Sequence, residues 1–238
     1  MANQQSLLEK AEDLEKADAG EILEWALKTF EDKVALASSF GAEDVVLVDM
    51  LAKINPKARV FTLDTGRLPQ ETYDVFAKMR DKYGIEIETY FPGTAEVEDI
   101  IAKHGPNGFY ESIELRKLCC RIRKMNPLKR AFSGLDAWIC GLRREQSPTR
   151  TEVRKVEIDE SQNPVVKINP LVDWSEEEVW SYIKENDVPY NSLHDQGFPS
   201  IGCRPCTRAV KPGEDVRAGR WWWEDPDRKE CGLHVKEE

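Results

Sequence analysis

The chain has no apolar run near the ~18–20 residues that a membrane-spanning helix requires, so its pattern predicts no membrane partner. Met1-Ala2-Asn3-Gln4-Gln5-Ser6 lacks the basic and then apolar order of a secretory leader. It has no excess of positive charge either. A formal charge of −10 at pH 7 argues against broad binding of duplex nucleic acid or an anionic membrane, and leaves room only for a local basic site. Internal repeats and low-complexity segments are also missing. Together these absences predict a cytoplasmic protein with no nucleic-acid partner. At 238 residues there is length for one large domain, or for a domain with an appendage. A core of that size needs neither disulfides nor a metal simply to fold. Structural disulfides are rare in the cytosol, so six cysteines call for another explanation: ligation, catalysis or burial.

What is present begins with helical spacing over residues 6–30, where Leu7, Leu8, Leu14, Ile22, Leu23, Trp25, Ala26 and Leu27 recur every three or four positions. Asp18-Ala19-Gly20 divides this stretch into two helices. A strand at 33–38 then runs into Ser38-Ser39-Phe40-Gly41 and a helix over 42–53. A second strand at 60–63 ends in Asp64-Thr65-Gly66-Arg67, followed by a helix over 69–83 and a strand over 85–90. Further strands are expected at 137–141 and 165–168, and Ser175 with Glu178 forms a capping box for one more helix. Strand, polar loop, helix, strand is the pattern of a parallel sheet covered by helices. Such sheets bind ligands beyond the carboxyl ends of their strands. The loops at 38–41, 64–67 and 142–150 are predicted there.

Ser38-Ser39-Phe40-Gly41 opens a helix, whose free amides can hold an anion without a lysine. It is not the Gly-x-x-x-x-Gly-Lys-Ser/Thr loop, and a plain capped turn is an equal reading. Arg143, Arg144 and Arg150 offer forked donors for phosphate or sulfate, with ordinary solvated charge expected for at least one of them.

The cysteines carry more. Cys119 and Cys120 are adjacent, in or beside a helix; Cys203 and Cys206 form a Cys-x-x-Cys. Four thiolates suit zinc or an iron–sulfur cluster. The Cys-Cys pair departs from the usual zinc knuckle. Arg116, Lys117, Arg121, Arg123, Lys124, Arg204 and Arg208 are the cationic complement expected of an anionic cluster. Cys140 follows Trp138-Ile139 in an apolar strand and reads as core. Cys231 lies in polar Glu230-Cys231-Gly232-Leu233-His234, near the C-terminus, where a thiolate can meet a bound substrate and later a reductant.

Several motifs in one order carry a resemblance. They are Ser38–Asp44, Leu63–Leu68, Cys119-Cys120, Gly141–Ser147, Cys203–Arg208, Gly219-Arg220-Trp221-Trp222-Trp223-Glu224 and Glu230–His234. The chain resembles the assimilatory adenylyl-sulfate reductases within the adenylyl-sulfate and phosphoadenylyl-sulfate reductase family, from about residue 30 onward. That resemblance implies an α/β, adenine nucleotide alpha-hydrolase-like fold related to the ATP pyrophosphatases: a mostly parallel sheet flanked by helices, with a C-terminal tail bearing the catalytic cysteine. It implies one nucleotide-binding domain over 1–220 and a mobile catalytic segment over 221–238. Cys119, Cys120, Cys203 and Cys206 would bind a 4Fe-4S cluster, and Lys124 would lie between cluster and substrate. Ser38, Ser39, Phe40, Leu68 and Gly141 match positions that hold the nucleotide. Arg150, Arg217 and Arg220 match arginines that face its phosphosulfate, and His234 adds to that positive charge. Cys231 would be the nucleophile. The implied reaction converts adenosine 5′-phosphosulfate to sulfite and AMP through an S-sulfocysteine, with thioredoxin or a similar dithiol protein as reductant, in sulfate assimilation and cysteine biosynthesis.

Three other readings stand beside it. Use of 3′-phosphoadenosine 5′-phosphosulfate is one, although reductases of that substrate lack the four cluster cysteines. A zinc-stabilised nucleotide-binding module without turnover is another, and it leaves the terminal motif without a purpose. An ATP pyrophosphatase would carry Ser-Gly-Gly-x-Asp-Ser at the first loop, which this chain does not. Trp221–Trp223 and the N-terminal helices suit either a homo-oligomer interface or core packing.

Overall fold

The structure, a computed structural model, describes residues 4–146, 150–158 and 166–224. The chain forms two compact units that interleave in sequence: Met1–Thr62, Asp74–Glu88 and Phe132–Asn191 in the first, Leu63–Tyr73, Thr89–Ala131 and Ser192–Glu238 in the second.

The first unit is built on apolar strands. β1 (Val34–Ala37), β2 (Arg59–Leu63), β3 (Ile87–Tyr90), β4 (Ala137–Ile139), β5 (Val156–Ile158) and β6 (Val166–Ile168) form a six-stranded sheet in the order β3-β2-β1-β4-β6-β5. β1 pairs in parallel with β2 and β4, and β4 with β6, while β5 closes the edge antiparallel to β6. Every residue of β4 is buried, as expected of a central strand covered on both faces. The register sets Leu36 beside Ile139 and Ile139 beside Ile168, so β4 and β6 end level and β1 runs one residue further.

α1 (Gln4–Leu14) and α2 (Ala19–Phe30) part where Asp18 caps α2. Asp18 and Glu21 exchange two 2.9 Å backbone bonds in a capping box. α2 buries Ile22, Leu23 and Ala26 completely. α3 (Ala42–Ile54) is enclosed nearly all round, with Val45, Val46, Leu47 and Val48 each at 0 % exposure. Its most deeply buried charge, Asp49, accepts from Tyr83 Oη at 2.8 Å, Tyr182 Oη at 2.5 Å and Lys53 Nζ at 2.7 Å. α4 (Gln70–Tyr83) contributes Val75 and Met79 to the same core, and α8 (Glu176–Glu185) contributes Val179 and Ile183 behind the expected Ser175–Glu178 box.

The second unit has α5 (Thr94–His104), α6 (Ile113–Cys120) and α7 (Asn126–Ala131). Between α6 and α7 the helix widens into a π turn over Arg121–Met125, closed by Asn126 N–H on the Arg121 carbonyl. Pro127 has no N–H to return to the Arg123 carbonyl, which accounts for the break in the ordinary ladder. α5 has no buried residue at all.

Trp221 is 2 % exposed, and most of the segment expected over 221–238 lies outside the described residues. Among the described residues, no helix is long and apolar enough to cross a membrane.

Candidate active site

In the first unit, the loop after β1 is fixed by its own polar groups. Ser39 donates from both N and Oγ to Asp44 Oδ2, at 2.6 and 2.7 Å. Ser38 Oγ accepts from Phe40 N at 3.2 Å. Phe40 adopts φ of 59°, a left-handed conformation rarely taken by a bulky residue. Burial holds it there: Phe40 is 1 % exposed and stacks on Phe76 at 5.2 Å between centroids. Gly41 then leads into α3 without any side-chain cap. The first amides of that helix are therefore the kind that hold an anion. Burial pushes the Asp44 carboxyl up to about 6, against the hydrogen bonds from Ser39, with the Glu43 charge adding to the rise.

Gly141 follows β4 at the same level. A Cβ there would stand 2.7 Å from Asp44 Oδ1 and from Glu43 Cβ, so only glycine lets this loop lie against the first turn of α3. Arg143 is committed to structure: it bonds Glu43 at 2.8 Å, Glu145 at 3.2 Å and the Trp174 carbonyl at 3.2 Å. Arg144 pairs with Asp173 and donates to the Val153 carbonyl. Of the three arginines considered for an anion, these two already have acidic partners. Arg150 is buried and donates to Gln146 Oε1.

In the second unit, α6 ends on Cys119 and Cys120, while Cys203 and Cys206 bracket a 3₁₀ turn. Thr65 Oγ1 lies 3.2 Å from Cys203 Sγ, and Arg204 N donates to the Arg67 carbonyl at 2.8 Å. Arg123 Nη1 donates to the Thr65 carbonyl at 2.7 Å. The Cys206 thiol is pushed up to about 12 by burial and then by the charges of Cys203, Cys120 and Cys119, with Arg220 opposing. Burial raises Cys119 as well, against Arg123 and Arg67. The four cysteines thus all belong to the second unit, and Arg67, Arg123 and Arg220 act on Cys119 or Cys206. Among the described residues, no three His, Cys, Asp or Glu side chains group as the ligands of an ion.

Lys124 lies in the π turn, half-buried. Leu68 is half-buried in the loop after β2. Arg217 is half-buried, and its backbone N–H donates to Asp215 Oδ1 at 2.8 Å in an Asx-type turn. Arg220 stacks on Trp221 at 5.0 Å and donates to the Ile201 carbonyl at 3.1 Å. Cys231 and His234 lie outside the described residues. Cys140 is core: it is 5 % exposed and its Sγ reaches Asn169 Oδ1 at 3.0 Å.

The structure therefore groups Ser38, Ser39, Phe40 and Gly141 in the first unit, with Arg150 elsewhere in it. Leu68, Lys124, Arg217, Arg220 and the two cysteine pairs belong to the second. Sequence reasoning quoted Asp44, Thr65 and Glu224 inside motifs but gave them no task. It considered Arg116 only as one of many cations. Asp44 accepts from the site residue Ser39 and Thr65 lies against Cys203, while Glu224 pairs with Arg116.

The sheet order and the helices that cover it define an α/β protein with a mostly parallel sheet. At the level of fold alone, the chain is similar to an FMN adenylyltransferase of Candida glabrata (TM-score 0.55, 14 % identity, covering 100 % of this chain and 81 % of that one). The family profile of the phosphoadenosine phosphosulfate reductase domain matches residues 33–209, and the chain belongs to that family. Among relatives, it is 53 % identical to an adenosine 5′-phosphosulfate reductase of Allochromatium vinosum over 206 residues, 87 % of this chain and 80 % of that one. It is 47 % identical to the chloroplastic 5′-adenylylsulfate reductase 3 of Arabidopsis thaliana over 95 % of this chain, which spans 50 % of the plant protein. A crystal structure of phosphoadenylyl-sulfate reductase from Candida auris, a phosphate complex, aligns with TM-score 0.74 at 30 % identity, covering 88 % of this chain and 98 % of that one.

Proposed function

We propose that this protein reduces adenosine 5′-phosphosulfate to sulfite and AMP, in the cytoplasm, as a step of sulfate assimilation toward cysteine. The observation that carries this reading is the gathering of Cys119, Cys120, Cys203 and Cys206 in one unit of a reductase-family chain. The names of relatives at 47 to 53 % identity support the unphosphorylated substrate.

The donor set fits a 4Fe-4S cluster. All four groups are soft sulfur donors of one unit, Cys206 is acted on by the other three and Cys119 by Cys203, and Arg67, Arg123 and Arg220 are the cations that act on them. When bound, such a group supplies a fixed charge distribution near the sulfur chemistry rather than electrons.

The chain's own residues do the rest. Ser38, Ser39, Phe40, Leu68 and Gly141 hold the nucleotide. The Cys231 thiolate attacks the sulfur of the phosphosulfate; the S–O bond breaks and AMP leaves with its electron pair. Cys231 then carries an S-sulfonate. One thiolate of a thioredoxin-like dithiol attacks the Cys231 sulfur and sulfite leaves. The second thiol resolves the mixed disulfide, so the dithiol is oxidised and Cys231 is restored. An anionic nucleophile meeting an anionic sulfuryl group needs fixed positive charge, which Lys124, Arg150, Arg217, Arg220 and His234 supply.

The test is sulfite release from both nucleotides with reduced thioredoxin, alongside iron and acid-labile sulfide content. The expected result is turnover of adenosine 5′-phosphosulfate with about four irons and four sulfides per chain. Cys231→Ser should lower turnover by ~1,000-fold or more. Preference for the 3′-phosphorylated nucleotide would overturn the substrate. One zinc with no sulfide and no turnover would put the zinc-stabilised binding module in its place.

A further inference from the structure

Asp44 stands in the first turn of α3, 8 % exposed, and its two carboxylate oxygens face two different loops. Oδ2 accepts from both the amide and the hydroxyl of Ser39, in the loop after β1, at 2.6 and 2.7 Å. Oδ1 faces the loop after β4: a Cβ on Gly141 would stand 2.7 Å from it. β1 and β4 are parallel neighbours, so both loops leave the same end of the sheet. A carboxylate that served only its own helix would close on the amide of the N-cap residue, here Gly41. Asp44 reaches past it to Ser39. The next residue, Phe40, turns left-handed at φ of 59°, so Ser39 is the last tether before the strained position. Two donors on one charged oxygen hold the Ser39 hydroxyl in one orientation. Of the groups that face Asp44, Glu43 pairs with Arg143 of the β4 loop at 2.8 Å. The Cys140 thiol at the end of β4 is pushed up to about 11 by burial and stays protonated near neutral pH.

We propose that Asp44 is a positioning residue for nucleotide binding: it orients Ser39 and sets the spacing of the β1 and β4 loops, so that affinity for the nucleotide, and not the sulfur chemistry, depends on its carboxylate. The proposal rests on the reading of Ser38, Ser39, Phe40 and Gly141 as residues that hold the nucleotide. Asp44 and Ser39 then act as one unit, and removing either loosens the same loop. An ionised carboxylate holds the Ser39 hydroxyl more firmly than a neutral acid does. Burial brings the Asp44 carboxyl up to about 6, so this hold is full above that pH and fades below it.

The test uses the full chain and two probes: AMP, and adenosine, which carries no phosphate to titrate. Calorimetry at pH ~7.5 compares the wild type, Ser39→Ala, Asp44→Ala and the double variant. Each single substitution should weaken both probes about tenfold. The double variant should bind no more weakly than either one, because the two side chains work together. With reduced thioredoxin, Asp44→Ala should raise KM for adenosine 5′-phosphosulfate by the same factor and leave kcat within about twofold. From pH ~7.5 to ~5 the wild type should lose about tenfold in adenosine affinity. Asp44→Asn, which keeps an acceptor without the charge, should lose none, and this comparison stands even where Asp44→Ala folds poorly. Additive losses in the double variant would overturn the proposal and leave Asp44 as a helix cap. So would a wild-type pH slope in Asp44→Asn. A wild type that binds neither probe would overturn the nucleotide reading and the proposal together, whereas additive losses overturn the proposal alone.

Discussion

The first unit is held chiefly by apolar burial, while the second adds charge, rings and sulfur to a smaller buried set that includes Phe109, Ile122, Leu128 and Leu193. The first has one continuous core running from Ala11 to Val188 through α2, α3 and the sheet strands. Its polar groups, such as Asp44 and Asp49, are satisfied inside that shell. The second has α5 with no buried residue, and its most enclosed long side chains include Arg116 and Arg123. Its contacts include cation on ring, as with Arg67 over Phe109 at 4.9 Å, and ring on ring, as with Tyr110 and Trp223 at 4.4 Å. Apolar burial is non-directional and builds a rigid platform. Paired cations and thiols are directional, and they stabilise a unit only when every partner is present.

The sharpest way to break this contrast is to remove apolar volume from each unit. Leu23 is fully buried in α2. Leu23→Ala should cost on the order of 4 kcal/mol of unfolding free energy, from lost burial and the cavity left behind. Ile101 on α5 is 37 % exposed, and Ile101→Ala should cost less than about 1 kcal/mol. Urea unfolding followed by residue-resolved hydrogen exchange would read both. Equal costs would mean that the second unit has a core of the ordinary kind.

A second way is pH, because two carboxylates shift in opposite directions. Asp44 in the first unit goes from the ordinary 3.8 up to about 6, chiefly by burial. The native state therefore keeps a proton that the unfolded chain has lost. The stability this gives is full below 3.8 and disappears as pH rises through about 6, a swing of about 3 kcal/mol. Glu214 in the second unit is held down to about 2 from 4.5 by the Arg208 guanidinium and the Lys211 amide. Its contribution is present above 4.5 and is lost as pH falls toward about 2. Amide protection across β1 should strengthen on acidification from pH ~7 to ~4.5, and Asp44→Asn should flatten that slope. An unchanged slope in Asp44→Asn would remove Asp44 from the account.

Legibility in the sequence follows the same division. Strands in the first unit were readable because each is a short apolar run bounded by polar loops; β1 and β2 fall within a residue or two of expectation. β4 ends at Ile139, short of the expected residue 141, because Cys140 turns its Sγ to Asn169 and Gly141 must close on α3. The break between α1 and α2 was readable from Asp18-Ala19-Gly20 as a turn signal, and the structure adds the Asp18 cap. In the second unit α5 gave little periodic signal, since it buries nothing. The π turn follows from Pro127, but no spacing rule points to it. Arg116 and Glu224 are 108 positions apart, so nothing local marks them as partners. The cysteines stood out by chemistry alone, as did the motif arginines, but not the interleaving of the units. The chain passes between them at residues whose local pattern is ordinary strand and loop.

The smallest predicted effect separates the units most cleanly, because the same substitution meets different walls. At Gly141 an added Cβ would press on Asp44 Oδ1 and Glu43 Cβ at 2.7 Å and on the Asp44 amide at 3.3 Å. Those atoms belong to the first turn of a helix enclosed on nearly every side, which has nowhere to go. Gly141→Ala should therefore cost about 2 kcal/mol of stability and weaken nucleotide binding as the turn shifts. At Gly202 the Cβ would overlap the Arg220 guanidinium, the far end of a long side chain. That side chain can swing aside, so Gly202→Ala should cost less than about 1 kcal/mol. Its effect should fall on kcat, because the displaced guanidinium is one of the charges assigned to the phosphosulfate. Calorimetric unfolding, nucleotide affinity and kcat for the two proteins decide the matter. A loss of stability at Gly202 equal to that at Gly141 would show that Arg220 is part of a rigid wall, and that the second unit is packed as tightly as the first.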